Sequence, residues 1–232
     1  MKLCILLTVA GAAALAWYLQ EKLRRYTLRA VMRKALVSVF FIGVALAAAC
    51  ASGGSLLAYF VIGGLVLGLL GDVWLDLKYV YPEQDAPYTY AGFVSFGIGH
   101  ILFIAGMLLQ YRAPALWAIV PLAAAVVVSL GNAVLEKPMK LDYGRFRAIV
   151  IVYGALLFGT TLVALALSIR CGWSEKSLLL LFIGGVLFAV SDLVLSGTYF
   201  GKGKERPIDL LLNYLFYYGA QFVIAWSLLF AH

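Results

Sequence analysis

Asp72, His100 and Asp192 each fall inside a long apolar stretch of this 232-residue chain. An ionisable side chain is costly to hold in such a place and marks a functional candidate. Neutral polar residues accompany the three: Asn132, and then Asn213, Tyr217 and Gln221. The last three are spaced i, i+4, i+8 and so share one helix face. Two carboxyls and a histidine in such company could transfer protons, hydrolyse a bond or bind a cation. In the plain structural reading they cap helix ends, pair with interfacial lysines and fix helix register.

The elements that must position them are membrane helices. Hydrophobic residues make up 64% of the chain and charged residues 12%, against about 25% charged in an ordinary soluble domain. A soluble fold would expose apolar patches far beyond what monomers tolerate, whereas lipid covers them. Apolar runs between charges predict eight spans, at about 3–19, 35–51, 55–75, 90–109, 114–135, 147–168, 177–196 and 209–230. Lipid cannot satisfy backbone groups, so the spans must be helices, and the runs are too long for barrel strands. The fold class is therefore all-α, a polytopic bundle forming one membrane domain, with a loop expected over 76–89.

Charge placement orients the bundle. The odd-numbered loops carry 14 of the 18 Lys and Arg residues, and the other side has Lys2, Arg112, Arg170 and Lys176. Positive loops stay cytosolic, so both termini are expected on the opposite side. The net charge of +7 thus reads as topology, not as nucleic-acid binding. The basic cluster after the first run, from Lys22 through Arg24, Arg25, Arg29 and Arg33 to Lys34, makes that run a retained span, not a cleaved signal peptide. Segment 21–34 reads as a positive-inside loop, with a place along anionic head groups as the second reading. Tyr79, Tyr81, Tyr88 and Tyr90 mark a membrane interface around the third loop.

On this topology Asp72, Asn132 and Asp192 lie near the inner ends of spans three, five and seven. His100 falls near mid-membrane in span four, and Asn213, Tyr217 and Gln221 run from the inner surface toward the middle. Agreement in depth predicts one polar cavity opening toward the cytosolic leaflet.

The two aspartates also share surroundings. Gly63-Gly64 precedes Gly71-Asp72 as Gly184-Gly185 precedes Ser191-Asp192, 120 residues on. Spans 1–4 and 5–8 are therefore candidate parallel repeats whose interface brings both Asp to a central site. Gly64 and Gly68, and Gly92, Gly99 and Gly106, form small-residue stripes that predict close helix packing.

Other chemistries find no support. Cys4, Cys50 and Cys171 are odd in number and lack metal-ligand spacing, so they read as small apolar residues. The only histidines are His100 and His232, which rules out a three-histidine zinc site. There is no GxSxG elbow, phosphate loop or dinucleotide motif, and no cofactor is expected.

The stretches Gly68–Leu75, Phe93–Ile104, Gly185–Asp192 and Tyr217–Gln221, in this order, resemble the YhhN family of membrane proteins, which includes the lysoplasmalogenases. The resemblance covers about residues 55–230. It implies hydrolysis of the vinyl ether bond of a lysoplasmalogen to a fatty aldehyde and a glycerophospho-ethanolamine or -choline. Such a bond is cleaved by protonating its β-carbon, after which water adds to the oxocarbenium ion and the hemiacetal collapses. One protonated carboxylic acid and one charged group are needed, the division of labour found in glycosidases. The resemblance points to Asp72 and Asp192 as that pair, in an order the sequence leaves open. It gives His100 and Gln221 the positioning of water or substrate, and Asn213 and Tyr217 the head-group end. Arg145 or Lys204 would meet the phosphate of the single-chain lipid partner. The alternative is a small transporter or lipid-binding protein using the same aspartates for protons or a cation. The membrane would be the cytoplasmic one in a bacterium and the endoplasmic reticulum in a eukaryote.

Overall fold

A computed structural model describes residues 1–23, 27–201 and 206–231. Arg24, Arg25, Lys202, Lys204 and His232, used above for topology, phosphate contact and zinc, lie outside the described residues. Eight helices follow one another: α1 Lys2–Lys22, α2 Leu28–Ala51, α3 Leu56–Val80, α4 Asp85–Gln110, α5 Ala115–Val134, α6 Arg147–Arg170, α7 Lys176–Phe200 and α8 Pro207–Ser227. All eight are long and apolar enough to cross a membrane.

Local chemistry sets several of their ends. The side chains of Thr27 and Ser55 cap α2 and α3 by accepting from the amides of Ala30 and Ala58. Pro207 opens α8, where its missing N–H costs nothing. Two expected boundaries move. α2 starts at Leu28, not near 35, and α3 continues to Val80, so the loop expected over 76–89 shrinks to Tyr81–Gln84. The physical reason is the same in both: Lys34, Asp76 and Lys78 carry charges that suggest a loop, yet each is neutralised by a partner and stays in the helix.

Helix packing repeats along the chain. α1 packs on α2, α2 on α3 and α3 on α4, and in the second half α5 packs on α6, α6 on α7 and α7 on α8. The halves join crosswise, α4 against α6 and α8 against α2. Shifting every label by four helices maps this pattern onto itself. Burial follows it too, since α1 and α5 are the least covered helices and α4 and α8 the most. Two parallel four-helix repeats therefore surround a central interface, as the matched Gly–Asp stretches suggest.

α3 and α4 cross closely because of glycine. A Cβ on Gly64 would sit 2.9 Å from the Gly99 carbonyl oxygen, and one on Gly99 would sit 3.0 Å from the Gly64 carbonyl oxygen. The Gly92, Gly99 and Gly106 stripe faces Leu75, Gly64 and Phe60 of α3 in turn. Gly99→Val should cost about 1–3 kcal/mol by overpacking, read as a lower melting temperature in detergent. Gly131→Ala, with nothing within 4 Å of the new methyl group, is the control expected to melt no lower than the parent.

Candidate active site

Asp72 sits on α3 and Asp192 on α7, each eight residues before its helix ends at Val80 or Phe200. At 1.5 Å per residue both lie about 12 Å below the same end of the bundle. Their side chains line one cavity of about 50 Å³, together with Lys34, Tyr153, Asn213 and Tyr217. That is room for a few waters. Phe96, Phe188 and Tyr217 wall it with edge-to-face rings, at centroid spacings of 5.3–6.0 Å.

The two carboxyls live in unlike surroundings. Asp72, 2% exposed, accepts from the Ser38 hydroxyl at 2.7 Å and the Tyr217 hydroxyl at 2.8 Å. Its other oxygen lies 3.3 Å from the Lys34 ammonium. Lys34 also reaches Asp76 at 3.4 Å, and Asp76 pairs with Lys22 at 2.9 Å. Tyr18 donates to Asp76 at 2.9 Å, with the Tyr214 hydroxyl 2.7 Å from its own. Two ammoniums and two carboxylates thus form a buried, charge-balanced ladder from the end of α1 to Asp72. Balance is what makes the burial tolerable, because an unpaired charge there would cost several kcal/mol.

Asp192 is half-buried and meets no cation among the described residues. The Tyr153 hydroxyl of α6 donates to it. The repeat accounts for the contrast: a shift of 120 residues carries Asp72 to Asp192 and Lys34 to position 154, beside Tyr153. Where the first half holds an ammonium, the second holds a phenol one residue from the corresponding place.

From Asp192 a second hollow, about 70 Å³, runs along α6 between α5 and α7. Apolar side chains such as Val150, Leu157, Phe158 and Ala189 line it, and Leu193, 45% exposed, stands at its lateral edge. Asn132 and Ser129 of α5 lie on its wall.

The remaining sequence candidates fall into two groups. Tyr217 and Asn213 line the cavity, and Asn213 donates to the Ser191 carbonyl and hydroxyl oxygens at 2.9 Å each, joining α8 to α7. Gln221 acts one step back, donating to the Tyr217 hydroxyl at 2.9 Å. His100 lies deeper, its Nδ1 3.0 Å from the Thr160 hydroxyl and its ring 5.0 Å from Phe188 and 5.8 Å from Tyr153. It lines neither hollow, so it touches the site through those rings.

Five functional candidates went unread in the sequence: Lys34, Ser38, Asp76, Lys22 and Tyr153. The charged ones sit at the ends of apolar runs, where a charge reads as a loop. The i, i+4 spacing of Lys34 with Ser38 and of Asp72 with Asp76 was the available signal, since both pairs fall on single helix faces.

A family model described as the YhhN family matches residues 29–228. It reaches further toward the N-terminus than the motifs that carry the resemblance, taking in α2 and with it Lys34 and Ser38. Comparison with the curated proteins and with the solved structures gives no match.

Proposed function

The chain belongs to the YhhN family, and from that membership we propose that it hydrolyses the vinyl ether bond of lysoplasmalogens within the membrane. The observation that carries the reading is the pair of carboxyls on one cavity, one paired with an ammonium and the other with a phenol.

The two settings assign the roles. Asp72, held between Lys34, Ser38 and Tyr217, is the anion. Asp192, which meets no cation among the described residues and stands at the edge of an apolar groove, keeps its proton and is the acid. The alkenyl chain lies in the groove along α6 with its first double bond over Asp192. Asp192 protonates the β-carbon, and the double-bond electrons leave an oxocarbenium ion at the α-carbon and ether oxygen. The Asp72 carboxylate stabilises that cation across the cavity and takes a proton from the water that adds to the α-carbon. The hemiacetal hydroxyl then gives up its proton as the bond to the glycerol oxygen breaks, and that proton is passed through cavity water to the departing oxygen. A fatty aldehyde and a glycerophospho-alcohol result, and the proton on Asp72 returns through cavity water to Asp192. Tyr217, fixed by Gln221, and Asn213 hold the water and the glycerol end.

In the membrane the basic loops face the cytosol and the termini face away, so the cavity opens toward the cytosolic leaflet. The distribution of Lys and Arg supports this orientation.

The test is hydrolysis of lysoplasmenylethanolamine by the detergent-purified protein in D2O. Aldehyde carrying one deuterium at carbon 2 is the expected product, because the proton delivered by Asp192 comes from solvent. Aldehyde without that label would remove the β-carbon protonation step. Passage of intact lipid or ions across sealed vesicles, with no aldehyde formed, would replace the hydrolase by a transporter.

A further inference from the structure

Where α3–α4 and α5–α6 connect, a third hollow of about 290 Å³ opens at the end of the bundle. Lys78, Asp85, Asp142 and Arg145 line it beside Tyr199 and Phe200. It adjoins the site, because Tyr199 lines it and also both hollows that hold Asp192. The α5–α6 connection is fastened over it: the Asp142 amide donates to the Phe200 carbonyl at 2.8 Å, and the Tyr90 hydroxyl donates to the Arg145 carbonyl at 2.9 Å.

We propose that this chamber seats the head group of a zwitterionic lysophospholipid and selects phosphoethanolamine over phosphocholine. The inference rests on the vinyl ether reading of the Asp72–Asp192 site only for where the chain lies.

Distance is the first argument. The seven residues from Asp192 to Tyr199 rise about 10 Å along α7. Seven bonds separate the β-carbon of a lysoplasmalogen from its phosphorus, about 9 Å when extended. A double bond placed at Asp192 therefore puts the phosphate at the chamber.

Charge is the second. Among the described residues the lining holds two cations and two carboxylates, so it is matched to a ligand with one charge of each sign and no net charge. Asp85 lies loosely between the cations, 3.5 Å from Lys78 and 3.4 Å from Arg145. A phosphate gives both cations shorter, charge-assisted bonds and frees Asp85 to face the ligand's ammonium.

Aromatic access is the third. A quaternary ammonium is held on open ring faces. Here the Lys78 ammonium already stands 3.6 Å from the Tyr199 ring centre, and the Arg145 guanidinium 5.0 Å from that of Phe146. The carboxylates of Asp85 and Asp142 offer acceptors, which suit the three N–H donors of a primary ammonium and not a trimethylated one.

The experiment measures binding of alkyl ether lysolipids, identical in chain and differing in head group, to the full-length protein in detergent. These lipids have no vinyl bond and cannot be cleaved, so the result is independent of turnover. The ethanolamine lipid should bind about tenfold tighter than the choline lipid, the worth of one charge-assisted hydrogen bond. Asp85→Asn should bring the two toward parity with little change for choline, and Arg145→Met should weaken both alike. Both positions are exposed, at 42% and 61%, so the variants are expected to fold. Equal binding of the two lipids by the parent protein, or an unchanged preference in Asp85→Asn, would overturn the proposal. Preferential binding with no cleavage of the vinyl lipid would instead leave the chamber standing and remove the hydrolase.

Discussion

Asp192→Asn is expected to lower aldehyde release by about 10²–10⁴-fold, the range of a positioned general acid, with the protein still folded. Asparagine keeps the shape, and its carbonyl oxygen can still accept from Tyr153, so neither cavity nor helix packing changes. What it lacks is a transferable proton of carboxylic acidity. Binding of an uncleavable alkyl ether lipid should therefore be unaffected while turnover collapses, which separates a lost acid from a lost site. Asp72→Asn should also lose turnover, since an amide neither stabilises the oxocarbenium ion nor accepts a proton from water. A folded Asp192→Asn protein that retained turnover would move the acid elsewhere, with His100 the remaining ionisable sequence candidate besides Asp72. If so, the 3.0 Å contact of His100 with Thr160 and its distance from both hollows would need another explanation.

The eight helices were legible because their signal is crude and strong: apolar runs of membrane-spanning length admit no other backbone arrangement in lipid. Asp72 and Asp192 were legible for the same reason, standing alone inside such runs. Lys22, Lys34 and Asp76 were not, because a charge at the edge of a run looks the same whether it meets water or a counter-ion on another helix. Distinguishing the two needs the α1–α2–α3 packing, which no local pattern contains. Tyr153 is harder still, since a tyrosine in an apolar helix is ordinary core until its hydroxyl partner is known. The repeat offered a way in: the shift that relates the two aspartates sets Tyr153 beside the counterpart of Lys34. His100 shows the converse, a residue singled out by type whose place lies behind the aromatic wall, not on the cavity.

Duplication also explains how two similar aspartates come to differ. Were the halves identical, both carboxyls would have the same neighbours and could not divide an acid's role from an anion's. The first half now carries the ladder Lys22–Asp76–Lys34–Asp72, and the second carries Tyr153 and an apolar groove. One cavity thus joins a carboxyl beside an ammonium to one that meets no cation among the described residues, the division of roles that the proposed acid catalysis on a vinyl ether calls for.

Lys34→Met tests that ladder and should cost about 3–5 kcal/mol, the usual effect of removing one partner from a buried ion pair. Lys34 is 5% exposed and stands between two carboxylates, Asp72 at 3.3 Å and Asp76 at 3.4 Å. Without it Asp76 keeps Lys22, but Asp72 is left with two hydroxyl donors and no cation among the described residues. The penalty should therefore come chiefly from Asp72, and the double variant Lys34→Met/Asp72→Asn should recover most of it, because the asparagine oxygen still accepts from Ser38 and Tyr217. Thermal melts of the four proteins in detergent give the coupling directly. Recovery of stability without recovery of aldehyde release would place the charge of Asp72 in the reaction and that of Lys34 in keeping it there. A single variant that melts with the parent would mean that Asp72 is carried neutral, and the assignment of acid and anion would have to be exchanged or abandoned.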